Sequence, residues 1–211
     1  EPVPRAHRLV TLADEKVEQP VHQSVFLVPS YRSAAPGEAE ALEVLAYLLG
    51  GGQTSLLFKT LVLERKLAVS AGAHYQGTAV DDTRFYVYAV PLPEIGLETI
   101  DAAIDEAIAG VAARGVDEGD LRRAQTRLVA ETIYAQDNQA ALARWYGASL
   151  AVGLALDDVA QWPARIEAVT PEDVRRAALW LDKRRSVTGY LLPAKPGSSA
   201  SSAHSNGPLA F

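Results

Sequence analysis

The chain has 211 residues, 48% hydrophobic and 22% charged, a balance that suits one large or two small globular domains with a substantial core. A formal net charge of -6 argues against the clustered Lys and Arg that nucleic acid or an anionic membrane surface requires, so neither is expected as a partner. Cysteine is absent, which excludes disulfides, thiolate zinc sites and a cysteine nucleophile and leaves the redox compartment open.

No apolar run approaches the roughly 20 residues of a membrane helix, and Glu1-Pro2-Val3-Pro4 shows neither an initiating methionine nor a signal-peptide pattern. A fragment of a longer polypeptide is expected. His7–Ala13 and Val21–Ser30 read as strands rich in Leu, Val and Phe, punctuated by Gln19-Pro20. Pro36 suits the first turn of a helix whose apolar stripe is Leu42, Leu45, Leu48 and Leu49. That helix runs into Gly50-Gly51-Gly52, where positive φ carries no Cβ penalty and two helices can meet at a tight corner. Thr54 or Ser55 can cap the second helix. Leu56, Leu57, Thr60, Leu61 and Glu64 follow at helical spacing, with the apolar stripe toward a sheet.

Ala68–Gln76 and Arg84–Leu92 are extended, and Gly77, Asp81 and Asp82 between them predict an antiparallel hairpin with a long loop. Leu97, Ile100, Ile104, Ile108 and Val111 form a helical stripe that stops at Arg114-Gly115. Asp117 with Asp120 resembles a capping box and opens a helix to about Tyr134, and Ala140–Gly153 reads as helical too. Thr170-Pro171-Glu172-Asp173 stacks an N-cap, a proline at N1 and an acidic first turn before Val174, Ala177, Ala178 and Leu181. Arg185–Leu192 is a closing strand that can return to the same sheet. This order lacks the strict alternation of a doubly wound sheet and predicts an α+β two-layer sandwich, a mostly antiparallel sheet with helices packed on one face. One domain is expected over residues 1–193. The Ser, Gly, Pro and Ala-rich stretch 194–211 reads as a flexible tail, expected to pack on an exposed groove if anything holds it.

The candidate chemistry is sparse. His7, His22, His74 and His204 lack the spacing of a zinc helix, and His74 in Ala73-His74-Tyr75 reads as a surface or half-buried strand histidine. The triple glycine follows no strand and precedes no Lys-Ser/Thr pair, so it is a turn rather than a phosphate loop. Asp81-Asp82 and Asp157-Asp158 read as solvated or capping acids. Tyr86 and Tyr88 alternate with Phe85 and Val87 on two faces of a strand. Trp145, Trp162 and Trp180 read as core or inter-helix anchors, and no Gly-x-Ser-x-Gly elbow occurs. No catalytic, metal-ligating or cofactor-binding residue is assigned.

The run Leu49-Gly50-Gly51-Gly52-Gln53-Thr54-Ser55-Leu56-Leu57-Phe58, then Leu61-Val62-Leu63-Glu64-Arg65-Lys66-Leu67-Ala68, resembles the C-terminal, non-zinc domain of insulinase/pitrilysin-like zinc peptidases. Gly115-Val116 with Asp120-Leu121-Arg122-Arg123-Ala124, Val169 to Val174, and Leu191-Leu192-Pro193 resemble later landmarks of that family, so the likeness covers residues 7–193. It implies an absent N-terminal zinc-binding domain on the same polypeptide, which would hold the zinc. Where such domains complete an active site they supply an Arg and a Tyr, and the matching positions here are Val62 and Val69. Valine cannot donate to an oxyanion. The fragment alone is therefore expected to be inactive, with an Arg/Tyr-bearing partner subunit, peptide substrates, and a role as wall of the proteolytic chamber in the small bacterial two-subunit type. The alternatives are a non-catalytic assembly subunit of the same fold and, third, a free-standing peptide-binding module, and the resemblance implies a periplasmic or secreted bacterial location.

Overall fold

The computed structural model describes residues 6–135 and 137–194. Among them one five-stranded sheet forms from β1 (Arg8–Asp14), β2 (Val21–Val28), β3 (Ala68–Tyr75), β4 (Thr83–Pro91) and β5 (Ser186–Pro193), in spatial order β1-β5-β2-β4-β3. β2 with β4, β2 with β5 and β3 with β4 are antiparallel, and β1 runs parallel to β5. The closing strand thus enters the middle of the sheet rather than its edge. Strand alternation decides which side is covered: Phe26, Val28, Phe85, Val87 and Ala89 are buried against helices, while the residues between them are not. The predicted α+β class, with helices on one face, is the observed one.

The helices are α1 (Glu38–Gly50), α2 (Leu97–Arg114), α3 (Glu118–Ala135), α4 (Gln139–Ala151), α5 (Leu156–Ala160), α6 (Trp162–Glu167) and α7 (Pro171–Ala178). α2 is where expected: Leu97, Ile100, Ile104, Ile108 and Val111 are all buried, and Gly115 at φ 71 ends the helix. The capping box before α7 is also present, with the Asp173 N–H donating to Thr170 Oγ1 at 3.2 Å and the Thr170 N–H donating to Asp173 Oδ2 at 2.9 Å. At α3 only half of the box forms. Asp117 Oδ1 accepts from Gly119 N at 2.8 Å and Asp120 N at 3.3 Å, whereas the Asp120 carboxylate turns outward to Arg123. Helices α5 and α6 have no counterpart in the sequence reading. They are about a turn and a half each, too short for periodicity to register.

Two further expectations change at the glycine corner. Pro36 lies ahead of the helix it was to open, because Gly37 at φ 82 makes the entry turn and α1 starts at Glu38. Of the three glycines only Gly52 uses positive φ, at 109. Gly50 is needed for a different reason: a Cβ there would lie 1.7 Å from the backbone nitrogen of Ala73, so α1 touches β3 backbone to backbone. Gly51 is crowded by the Tyr47 ring at 2.8 Å. The second helix does follow, but as a π-helix over Phe58–Glu64, with the Arg65 N–H donating to the Thr60 carbonyl at 3.0 Å. No side chain caps it, and Ser55 is buried with no hydrogen-bond partner for its Oγ among the described residues. Leu57 and Leu61 still point into the core as predicted. The tail 195–211, including the expected groove packing, lies outside the described residues.

The three tryptophans join helices. Trp162 Nε1–H donates to Tyr31 Oη at 2.8 Å, Trp145 meets Trp162 edge-on at 5.9 Å, and Trp180 Nε1–H donates to Glu38 at 2.7 Å. Tyr31 in turn donates to Glu43, whose carboxyl burial pushes above its usual range. The contact at Gly50 makes the sharpest stability test. Gly50→Ala is expected to cost at least the upper end of the roughly 1–3 kcal/mol typical of overpacking, since backbone must move, while Gly52→Ala is expected to cost about 1 kcal/mol from φ alone. Urea midpoints of the two variants check this order.

Candidate functional site

With one face under helices, chemistry open to a partner falls on the other face and on the free edges. The strand register lays out that face in rows. One row runs His74, Tyr86, Val25, Val187 and Arg8 across the five strands, and the next runs Gly72, Tyr88, Gln23, Gly189 and Val10. The surface is mainly aromatic and aliphatic. His74 stacks on Tyr86 with centroids 6.4 Å apart, and the Arg84 guanidinium lies over the same ring at 5.4 Å. Arg84 and Tyr86 both donate to Gln76 Oε1, at 3.0 and 3.2 Å, which anchors the group to the hairpin loop. Tyr88, 43% exposed, lies across Gly72, where a Cβ would come within 2.7 Å of its ring. The expectation of two faces for Phe85/Val87 and Tyr86/Tyr88 is met, and His74 is an exposed strand histidine.

Among the described residues the β1 edge of the sheet is bare. β1 is exposed along its whole length, with Leu9, Val10 and Leu12 all more than half exposed. β3 is the opposite edge. It carries Val69, 52% exposed, at an irregularity in register between Ala68 and Ser70, while Val62 packs half-buried on the core from the π-helix. Neither side chain has a polar hydrogen to offer. An oxyanion or polarised carbonyl needs N–H or O–H donors aimed at it, and this pair supplies none.

A second polar cluster closes the covered side. His22 is fully buried on β2, its Nε2 2.8 Å from Asp101 Oδ1 on α2, and Lys183 Nζ donates to the same oxygen at 2.5 Å. Burial alone would raise the Asp101 carboxyl, but the His22 and Lys183 hydrogen bonds outweigh it and hold the group down at about 2. The sequence reading did not find this cluster. Strand alternation with Ser24, Phe26 and Val28 does place His22 inside, where an imidazole needs a partner, yet nothing local marks an aspartate far along the chain as that partner. Among the described residues no group of three His, Asp or Glu side chains converges as a metal site would require.

Residues 1–128 match the family described as the peptidase M16 inactive domain. The chain belongs to that family. This M16 inactive domain is 34% identical over 158 residues to an uncharacterized zinc protease of Streptomyces coelicolor, a match covering 74% of the chain and 33% of the relative. In fold it is similar to a protease from Helicobacter pylori, with TM-score 0.82, 22% identity and coverage of 92% of this chain against 45% of that one. It is also similar to the periplasmic protease PqqL from Escherichia coli, with TM-score 0.65, 19% identity and coverage of 90% against 21%. The domain thus spans less than half the length of each of these proteins. The family resemblance read from the glycine corner and the later landmarks is borne out.

The His22–Asp101–Lys183 cluster has a pH signature. A carboxylate held below its ordinary value stabilises the fold above that value, near 3.8, and loses the contribution as pH falls toward about 2. The stability gap between the wild type and Asp101→Asn is expected to be widest above pH 4 and to close between pH 4 and 2, as read from urea midpoints. A gap constant with pH would remove the charged pairing from the account.

Proposed function

We propose that this M16 inactive domain is the non-zinc half of a zinc metalloendopeptidase subunit and forms a wall of the proteolytic chamber, with its open sheet face toward the substrate. The observation that carries the reading is the pairing of a bare, aromatic sheet face with a Val62/Val69 pair that has no donor. The domain offers a surface to peptides and no group to cleave them. Zinc belongs to an N-terminal domain of the same polypeptide, and the Arg/Tyr pair to a partner subunit. Family membership and the zinc-protease relative support this division, as does the domain's share of each relative's length. The exposed Leu9, Val10 and Leu12 of β1 support a covering domain at that edge. PqqL supports a periplasmic setting.

The chain alone, supplied with zinc, is expected to cleave no peptide above background. Addition of a zinc-motif domain and an Arg/Tyr-bearing subunit is expected to restore cleavage, and Tyr88→Asp to reduce that restored rate about tenfold while leaving the urea midpoint within about 0.5 kcal/mol of wild type, as for an exposed site. Zinc-dependent cleavage by the chain alone would overturn the proposal. Restored cleavage that ignores Tyr88→Asp would remove the open face from it.

A further inference from the structure

A groove of about 530 Å³ opens on the helical side, between the glycine corner, the π-helix, α2 and the start of α3, and shares no lining residue with the open sheet face. Its size falls within the roughly 300–1,000 Å³ of small-molecule sites. Leu48, Leu56, Ala107, Val111 and Ala124 give it an apolar lining. Its charge runs against that of the chain: Lys59, Arg65, Arg114, Arg123 and Arg127 line it against Glu106, Asp117 and Asp120, in a protein of net charge -6.

The acids are already engaged. Glu106 pairs with Arg65 at 2.9 Å, Asp120 pairs with Arg123, and Asp117 Oδ1 accepts the Gly119 and Asp120 N–H groups that open α3. Lys59, Arg114 and Arg127 have no carboxylate partner among the described residues. Arg114 is laid along α2 by Gly110, where a Cβ would stand 2.9 Å from its Nη2, so the glycine makes room for the guanidinium. Cations without a carboxylate partner, set with an apolar wall in one groove, are the complement of an anionic head on an apolar body.

We infer that the groove binds a carboxylate carried on an apolar chain, the head held by Arg114 and Arg127 and the chain laid on Leu56, Ala107 and Val111. A free alkyl carboxylate and an apolar peptide C-terminus present the same chemistry, and the probes separate them.

Calorimetric titration of the chain with octanoate and with acetyl-Leu-Phe is expected to give saturable binding at one site for at least one of the two, and the tighter of them names the source. 1-Octanol, acetyl-Leu-Phe amide and inorganic phosphate, each lacking the head or the body, are expected to bind at least about tenfold more weakly. Arg114→Gln with Arg127→Gln is expected to weaken the acid about tenfold and leave the neutral analogues unchanged. Amide shifts on binding are expected at Ser55 and Gly110. Neutral analogues binding as tightly as the acids, shifts elsewhere, or neither acid binding would overturn the inference. Should the double arginine variant not fold, acid against neutral analogue on the wild type, with the shift map, decides alone. Neither outcome depends on peptide cleavage, so the chamber-wall proposal stands or falls separately.

Discussion

Backbone contact between α1 and β3 at Gly50 is the constraint from which the rest of the domain follows. A helix normally stands off a sheet by the depth of its side chains. Here the absence of a Cβ lets the end of α1 rest on Ala73, and the chain must then turn at once to avoid the strand. Gly52 makes that turn with positive φ, and the next helix winds as a π-helix before the chain enters β3. Pulling α1 onto the sheet also brings Leu42, Leu45 and Leu49 into full burial with Phe26 and Phe85, and each such side chain contributes about 1.5–3 kcal/mol.

Because the helices are gathered on one side, the two faces of the sheet carry different duties. The covered face is dry and is locked where it turns polar, by His22, Asp101 and Lys183 between β2, α2 and the turn before β5. The open face presents Tyr86, Tyr88, His74 and Val25 with no helix of the described residues above them. A surface of this kind is costly for an isolated protein and is ordinary for one that is half of an enclosure. The same segment that bears the glycine corner continues into Val62, half-buried on the core, and Val69, 52% exposed, and neither carries a polar hydrogen.

What could be read from residues was what is written locally. The α2 stripe, the Thr170–Asp173 capping box and the alternation of Phe85 to Tyr88 each declare themselves within a few residues, and each is where it was expected. The glycine corner was legible as a corner but not in mechanism, because the need at Gly50 comes from a strand more than twenty residues away. The π-helical winding escaped because Leu57 and Leu61 also satisfy an α-helical period. The Asp101 partner of His22 and the groove beside Ser55 are long-range products of topology, with no local signature at all.

The proposed orientation of the open sheet face toward the peptide in the assembled enzyme is open to direct test. The most direct measurement places a photocrosslinking side chain at position 88 on that face, and separately at Leu179, which is comparably exposed beyond α7 on the helical side, in an assembly with the zinc-bearing domain. A peptide substrate is expected to crosslink from position 88 and not from position 179. Crosslinking from 179 alone, or from both equally, would contradict it.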